Sequence, residues 1–173
     1  RLTLDGSSEA IERILSLARA ALDMDVALVG SFDSDFVVQA VDGESEWFDI
    51  EAGMRIAPEQ TYCRRMVQGE LPHLVRDTAA DERTADLPLT RETGIGAYVG
   101  VPIRLWDGTL YGTLCCLSRA PEPSLNDRDV RFLRVIAEIL ADQLDREQLE
   151  TEKRRLEWSR IRAVLDGDGV NVE

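Results

Sequence analysis

The sequence predicts an α+β fold, and three observations carry that reading. Apolar residues recur at helical spacing near the start of the chain and again through its last third. Between these ends lie two pairs of short β-rich runs, each pair joined by a short acidic turn. The polar stretches that separate the pairs are rich in Gly, Pro, Asp and Thr.

The first helix is predicted over Glu9–Leu22, where Ile11, Ile14, Leu15, Leu17, Ala18, Ala21 and Leu22 recur at helical intervals. Glu9 and Glu12 fall in its first turn, where carboxylates offset the helix dipole. "DVALVGSFDSDFVVQAVDG" follows as two Val- and Phe-rich runs around "DSD", the grammar of a hairpin. Tyr62, Met66 and Val67 within "PEQTYCRRMVQGE" predict a short helix stopping near Gly69, and "HLVRD" predicts a brief strand. "AADERTADLPLTRETGI" is a loop or a broken helix. "AYVGVPIRL" and "GTLYGTLCCLSR" then form a second hairpin around Asp-Gly. Ser124 and Asp127 have the spacing of a capping box, after which Val130, Leu133, Ile136, Ala137, Leu140 and Leu144 give a helical stripe. Leu149, Leu156 and Ala163 continue at spacing seven after a break in phase near residues 146–148, as in a coiled coil. A segment as polar as "EQLETEKRRLEW" needs a partner helix or an adjacent domain to hold it.

At 173 residues the chain accommodates one domain with a sizeable core plus an extension, and it begins at Arg1 like a piece of a longer protein. The net charge of −13 argues against partners rich in phosphate, both nucleic acid and anionic membrane. No apolar run approaches the roughly 20 residues that span a bilayer. Three cysteines without a C-x-x-C pair make neither a disulfide framework nor a zinc site, so the expected setting is cytoplasmic and reduced.

The order of "DVALVGSF", "PEQTYCRRMVQGELPHLVRD", "GIGAYVGVPIRL", "DGTLYGTLCCLS" and the closing amphipathic helix resembles the GAF domain of bacterial signalling proteins. The resemblance spans Glu9 to Leu144. It implies a GAF-like (profilin-like) central antiparallel sheet of about six strands, with helices on both faces and a long C-terminal helix. One face would carry a pocket and the other the terminal helices. A sensor domain over residues 1–147 would then precede a helical signalling linker over residues 148–173, leading into an output domain. The tail "RIRAVLDGDGVNVE" resembles the opening of an EAL-type cyclic di-GMP phosphodiesterase domain, cut off before its catalytic residues. Covalent bilin attachment would need a cysteine, typically beside a histidine, in the segment before "AYVGVPI", and "LPLTRETGIG" has neither. The cyclic-nucleotide motif of the family has no residue-by-residue match.

Cys63, His73 and Asp77 invite comparison with a cysteine hydrolase, and His73 is the single histidine. His73 and Asp77 lie four residues apart on one strand, roughly 13 Å along an extended chain, so they make no His–Asp pair. His73 is then a surface or strand-end residue and Asp77 a turn-former. No metal site and no cofactor is identified, and a small-molecule ligand remains open. The candidate ligand residues are Tyr62, Cys63, Asp77, Arg91, Tyr98, Thr113 and Cys115: aromatic walls, an anion partner, and polar or thiol groups. For each, the competing reading is core packing or solvated charge. Cys115 and Cys116 point to opposite sheet faces, so only one of them reaches a pocket. Leu133, Leu140, Leu144, Leu149 and Leu156 are the candidate dimer and signalling positions, giving a homodimer through the terminal helices. Two functions follow: a non-catalytic sensor that governs a covalently linked output domain, and a free methionine sulfoxide reductase built on Cys63.

Overall fold

The computed structural model of the chain describes residues 9–167. In chain order it comprises α1 (Glu9–Leu22), β1 (Val26–Phe32), β2 (Phe36–Gly43), β3 (Arg55–Ile56), α2 (Tyr62–Val67), β4 (Leu74–Val75), α3 (Pro88–Thr93), β5 (Ala97–Arg104), β6 (Leu110–Ser118) and α4 (Asp127–Gly167), with short 3-10 turns at Ser45–Phe48 and Pro58–Gln60. The strands form one sheet in the order β3-β2-β1-β6-β5-β4, every neighbouring pair antiparallel. Both hairpins expected from the acidic turns are present, and the polar stretch before β5 is a broken helix ending in α3.

Strand alternation divides the core into two layers. Val99, Val101 and Ile103 of β5, Leu114 and Cys116 of β6, and Ala27 and Val29 of β1 pack against α1 and α4. Tyr98, Cys115, Leu117, Val26 and Leu28 point the other way, against α2, Phe48, Ile50 and Ile95. The central strand β1 is buried from Val26 through Ser31, as a strand covered on both faces must be. Pro102 fits inside β5 because β4 pairs only as far as Val99, so no neighbour needs the missing N–H.

In α4 the apolar stripe seats the helix on the sheet: Val130, Leu133, Ile136, Ala137, Leu140, Ala141 and Leu144 are all buried. Its cap differs from the expected Ser124–Asp127 pair. The Asn126 side-chain oxygen accepts from the Arg128 N–H at 2.9 Å and the Asp129 carboxylate accepts from the Asn126 N–H at 2.8 Å, which is the reciprocal capping arrangement two residues later. Ser124 serves through its carbonyl, which accepts from the Asn126 side-chain amide at 3.0 Å. The phase break expected near residues 146–148 is not a break in the helix, because α4 runs unbroken to Gly167. What changes there is which face carries apolar residues. Leu149 is five residues beyond Leu144, about 140° around the helix at roughly 100° per residue, and it is exposed.

The hairpin between β5 and β6 touches α4 where the helix leaves the domain. The Trp106 backbone N–H donates to the Asp145 carboxylate at 2.9 Å, and its indole N–H donates to Asp142 at 2.8 Å.

Gly112 marks the tightest approach between β6 and β1. A Cβ there would lie 1.8 Å from the Gly30 carbonyl oxygen, a backbone atom that cannot swing aside. Gly112→Ala should therefore lower unfolding free energy by about 3 kcal/mol, the upper range of an overpacked core, read as an earlier urea midpoint with unchanged slope.

Candidate functional site

Helix α2 begins at Thr61, whose side-chain oxygen accepts from the Arg64 N–H at 3.1 Å and caps the first turn. That cap lays Tyr62, Cys63 and Met66 against the sheet face opposite α1 and α4. Opposite them, alternation along β5 and β6 presents Tyr98, Cys115 and Leu117. Gly100 leaves space for the Tyr98 ring, since a Cβ at that position would fall 2.1 Å from the tyrosine oxygen.

The elements meet around sulfur and hydroxyl groups. Cys63 Sγ lies 3.7 Å from Cys115 Sγ, and the Tyr98 O–H donates to Cys63 Sγ at 3.8 Å. The rings of Tyr62 and Tyr98 meet edge to face at 5.3 Å. The hydrogen bond with Cys115 draws the Cys63 thiol below its ordinary range and pushes Cys115 well above its own, so Cys63 is the sulfur on which negative charge would settle. Burial holds Tyr98 well above the ordinary phenol range and raises Tyr62 as well. Cys116, on the other face, is pushed up to about 12 by burial. All three cysteines are free.

A chain of buried threonines ties the cover over this face to α2. Thr78 Oγ1 donates to the Ile95 carbonyl, Thr84 Oγ1 to the Thr78 carbonyl at 2.6 Å, and Thr90 Oγ1 to the Thr84 carbonyl at 2.6 Å. With the Thr90 proton committed, Tyr62 must be the donor in its own hydrogen bond with Thr90. The three threonines stand six residues apart in sequence, a spacing visible in a stretch that reads simply as polar.

The predicted site residues divide into two groups. Tyr62, Cys63, Tyr98 and Cys115 converge, and Thr113 lies on the same face of β6 as Cys115, fully buried with its hydroxyl unpartnered. Asp77 and Arg91 stand apart. Asp77 accepts from the N–H groups of Ala79 and Ala80 as a turn-former, and Arg91 is an exposed charge paired with Asp86. His73 Nδ1 bonds the Gly100 carbonyl at 2.9 Å and lines a surface groove with Leu74, Asp127 and Arg131, so Cys63, His73 and Asp77 form no triad. Leu133, Leu140 and Leu144 are wholly buried within the domain, where they join α4 to the sheet and leave no surface for a partner. Leu149 and Leu156 are exposed. Among the described residues no group of three or more potential ligands is arranged to hold a metal.

The converging residues line a void of only about 40 Å³, together with Leu28 and Phe36 among others. Small-molecule pockets are typically about 300–1,000 Å³. This face is therefore a filled core with room for no more than a few waters.

The sheet order, the two-layered core and the helix-capped face define an α+β module with helices on both sides of one antiparallel sheet, and comparison with known proteins gives its family. The GAF domain family model matches residues 7–144, and the chain belongs to that family. It is 27% identical over 140 residues to the cyclic di-GMP phosphodiesterase PA2567 of Pseudomonas aeruginosa, aligning 79% of this chain with 22% of that protein. It is 23% identical over 146 residues to the diguanylate cyclase DgcP of Escherichia coli K12, aligning 83% of this chain with 42% of that protein. The chain thus spans less than half the length of either relative. Among solved structures, the GAF domain of Thermosynechococcus elongatus PixJ in its blue-light-absorbing form superposes with a TM-score of 0.65 at 16% identity, covering 83% of this chain and 88% of that one. Among the described residues no helix is long and apolar enough to cross a membrane.

Thr90→Val should strip the Tyr62 hydroxyl of its acceptor in a buried core and leave the Thr84 carbonyl only the Leu87 N–H, costing about 1–3 kcal/mol, measured by urea unfolding. Thr90→Ser, which keeps the hydroxyl, should recover most of that loss.

Proposed function

We propose that this chain is a cytoplasmic sensory domain that dimerises and passes a rearrangement along α4 into a C-terminal output domain, a cyclic di-GMP phosphodiesterase. The observation that carries this reading is the continuity of α4. The same helix that is buried on the sheet through Leu144 continues to Gly167, with every residue from Gln148 onward exposed. An isolated helical stretch of about 20 residues, rich in charge, is marginal in water and needs company. The relatives support an output that acts in cyclic di-GMP metabolism, since one is named as a phosphodiesterase and the other as a diguanylate cyclase, and the first favours hydrolysis. Of the tail "RIRAVLDGDGVNVE" that resembles the opening of a phosphodiesterase domain, residues 168–173 lie outside the described residues.

The outer face of α4 supports a two-helix seam. Val135, Ile139, Leu149 and Leu156 are exposed and lie on one line of alternating three- and four-residue steps that also contains Arg146, Lys153, Arg160 and Asp142, the last held by the Trp106 indole. Asp145, Glu150, Glu152 and Glu157 flank these cations, so each would have a carboxylate beside it in a paired helix. The buried stripe and this seam occupy different faces, which lets one helix hold its own domain and a partner together. With a void of about 40 Å³, the core favours transmission over capture of a ligand. The same volume weighs against the second function, reduction of free methionine sulfoxide at Cys63, because an amino acid does not fit where only a few waters do.

Leu149→Glu combined with Leu156→Glu should turn the dimer into monomers in analytical ultracentrifugation, each buried leucine being worth at least about tenfold in dissociation constant. In the full-length protein, four residues inserted after Arg146 would rotate the output domain relative to the sensor and should change its regulated activity. An output that responds unchanged would count against signalling through α4.

A further inference from the structure

The sulfur pair buried between α2 and β6 is not absorbed by helix-borne signalling. Cys63 and Cys115 are separated by 52 residues in sequence, free, and 3.7 Å apart through space. A disulfide needs about 2.05 Å, so the sulfurs must approach by well under the width of an atom. Two features make that approach feasible. The void of about 40 Å³ lies beside both sulfurs, so atoms can shift there without overpacking. Helix α2 is a single short element, Tyr62–Val67, bounded by the Thr61 cap and by a turn at Gly69 with φ +78°. Cys116 is excluded as a partner because it faces α1 and α4 on the opposite side of the sheet.

We propose that Cys63 and Cys115 form a dithiol–disulfide couple whose oxidant is a peroxide close to water in size. Both thiols are nearly inaccessible, with 4% and 2% exposure, and the space of about 40 Å³ beside them holds no more than a few molecules of water's size. Hydrogen peroxide meets that limit, whereas a glutathione-sized disulfide does not. The polarity of the pair assigns the order of events. The Cys63 sulfur, which receives the Tyr98 O–H, attacks one peroxide oxygen; the O–O bond breaks, the other oxygen leaves as water with the Cys63 proton, and Cys63 becomes a sulfenic acid. The Cys115 sulfur then attacks Cys63 Sγ; the S–O bond breaks and hydroxide leaves as a second water with the Cys115 proton. One peroxide gains two electrons, two thiols lose them, and two waters form.

The bond would clamp α2 to the central strand β6. Tyr62 adjoins Cys63 and holds Thr90, while Leu114 and Cys116 on either side of Cys115 lie in the layer beneath α4. As a signal, the couple rests on the sensory reading above; as chemistry, it does not.

The test is a non-reducing peptide map of the complete reduced chain after exposure to hydrogen peroxide or to oxidised glutathione, with remaining thiols alkylated. Trypsin places Cys63 in residues 56–64 and both Cys115 and Cys116 in residues 105–119. The expected result is one peroxide-dependent link between these peptides, with loss of two hydrogens. It should persist in Cys116→Ala, vanish in Cys63→Ala and Cys115→Ala, and form at least tenfold more slowly with oxidised glutathione. Fragmentation of the wild-type linked peptide distinguishes Cys115 from Cys116 even if an alanine variant does not fold. Unchanged thiols, a Cys63–Cys116 link, sulfinic acid without a link, or a glutathione adduct would each overturn the proposal. A link that forms while the full-length protein's output ignores peroxide would overturn the sensory use of the couple and leave the couple itself standing.

Discussion

Leu133, Leu140 and Leu144 are buried to the last atom against the sheet, and the remaining geometry of the chain follows from that contact. Burying three leucines is worth about 1.5–3 kcal/mol each before conformational entropy is counted, enough to fix the rotation of α4 about its own axis. Because α4 has no interruption before Gly167, that rotation also sets which residues face outward more than a turn beyond the domain. Leu149 and Leu156 are outward-facing because Leu140 and Leu144 face inward. A change in the sheet that tilts the buried stripe must therefore appear at the far end of the helix.

The two sides of the sheet answer different demands. The side under α1 and α4 is almost wholly aliphatic, as a platform for rigid helix packing should be. The other side mixes aromatic rings, two thiols and a threonine relay under a cover of short helices and turns. Each polar group of the relay has a partner, so the cover is held by directional bonds as well as by apolar contact. β6 belongs to both sides, with Cys115 facing one and Leu114 and Cys116 the other. It is the element through which a change in one layer reaches the other.

Much of the fold was legible because its signals are periodic. The bounds of α1 follow from a stripe that only a helix buries on one face, and the hairpins follow from β-rich runs around acidic turns. Local ambiguity misled where two patterns have equal spacing. Ser124–Asp127 and Asn126–Asp129 both fit a capping box, and only the hydrogen bonds choose the second. Tyr62, Cys63, Tyr98 and Cys115 were each readable as pocket residues. That the two cysteines meet was not, since their contact depends on how α2 docks onto a strand 52 residues later. In the sequence alone the apolar positions of α4 form one series broken in phase. They are two series on two faces, a distinction that needs the sheet to be known.

Trp106 gives the departing helix a point of attachment that the core does not provide. Its two N–H groups hold Asp142 and Asp145, one turn before the exposed stretch begins, from the tip of the hairpin formed by β5 and β6. Leverage depends on where a rod is pinned as much as on the force applied to it. A hairpin tip is a compliant mount, so small flexing of β5 and β6 would translate into a sideways swing of α4 amplified by the length of free helix beyond. If α4 carries the signal as proposed, the indole would act as its fulcrum, and an exposed residue would set how far the distal end travels.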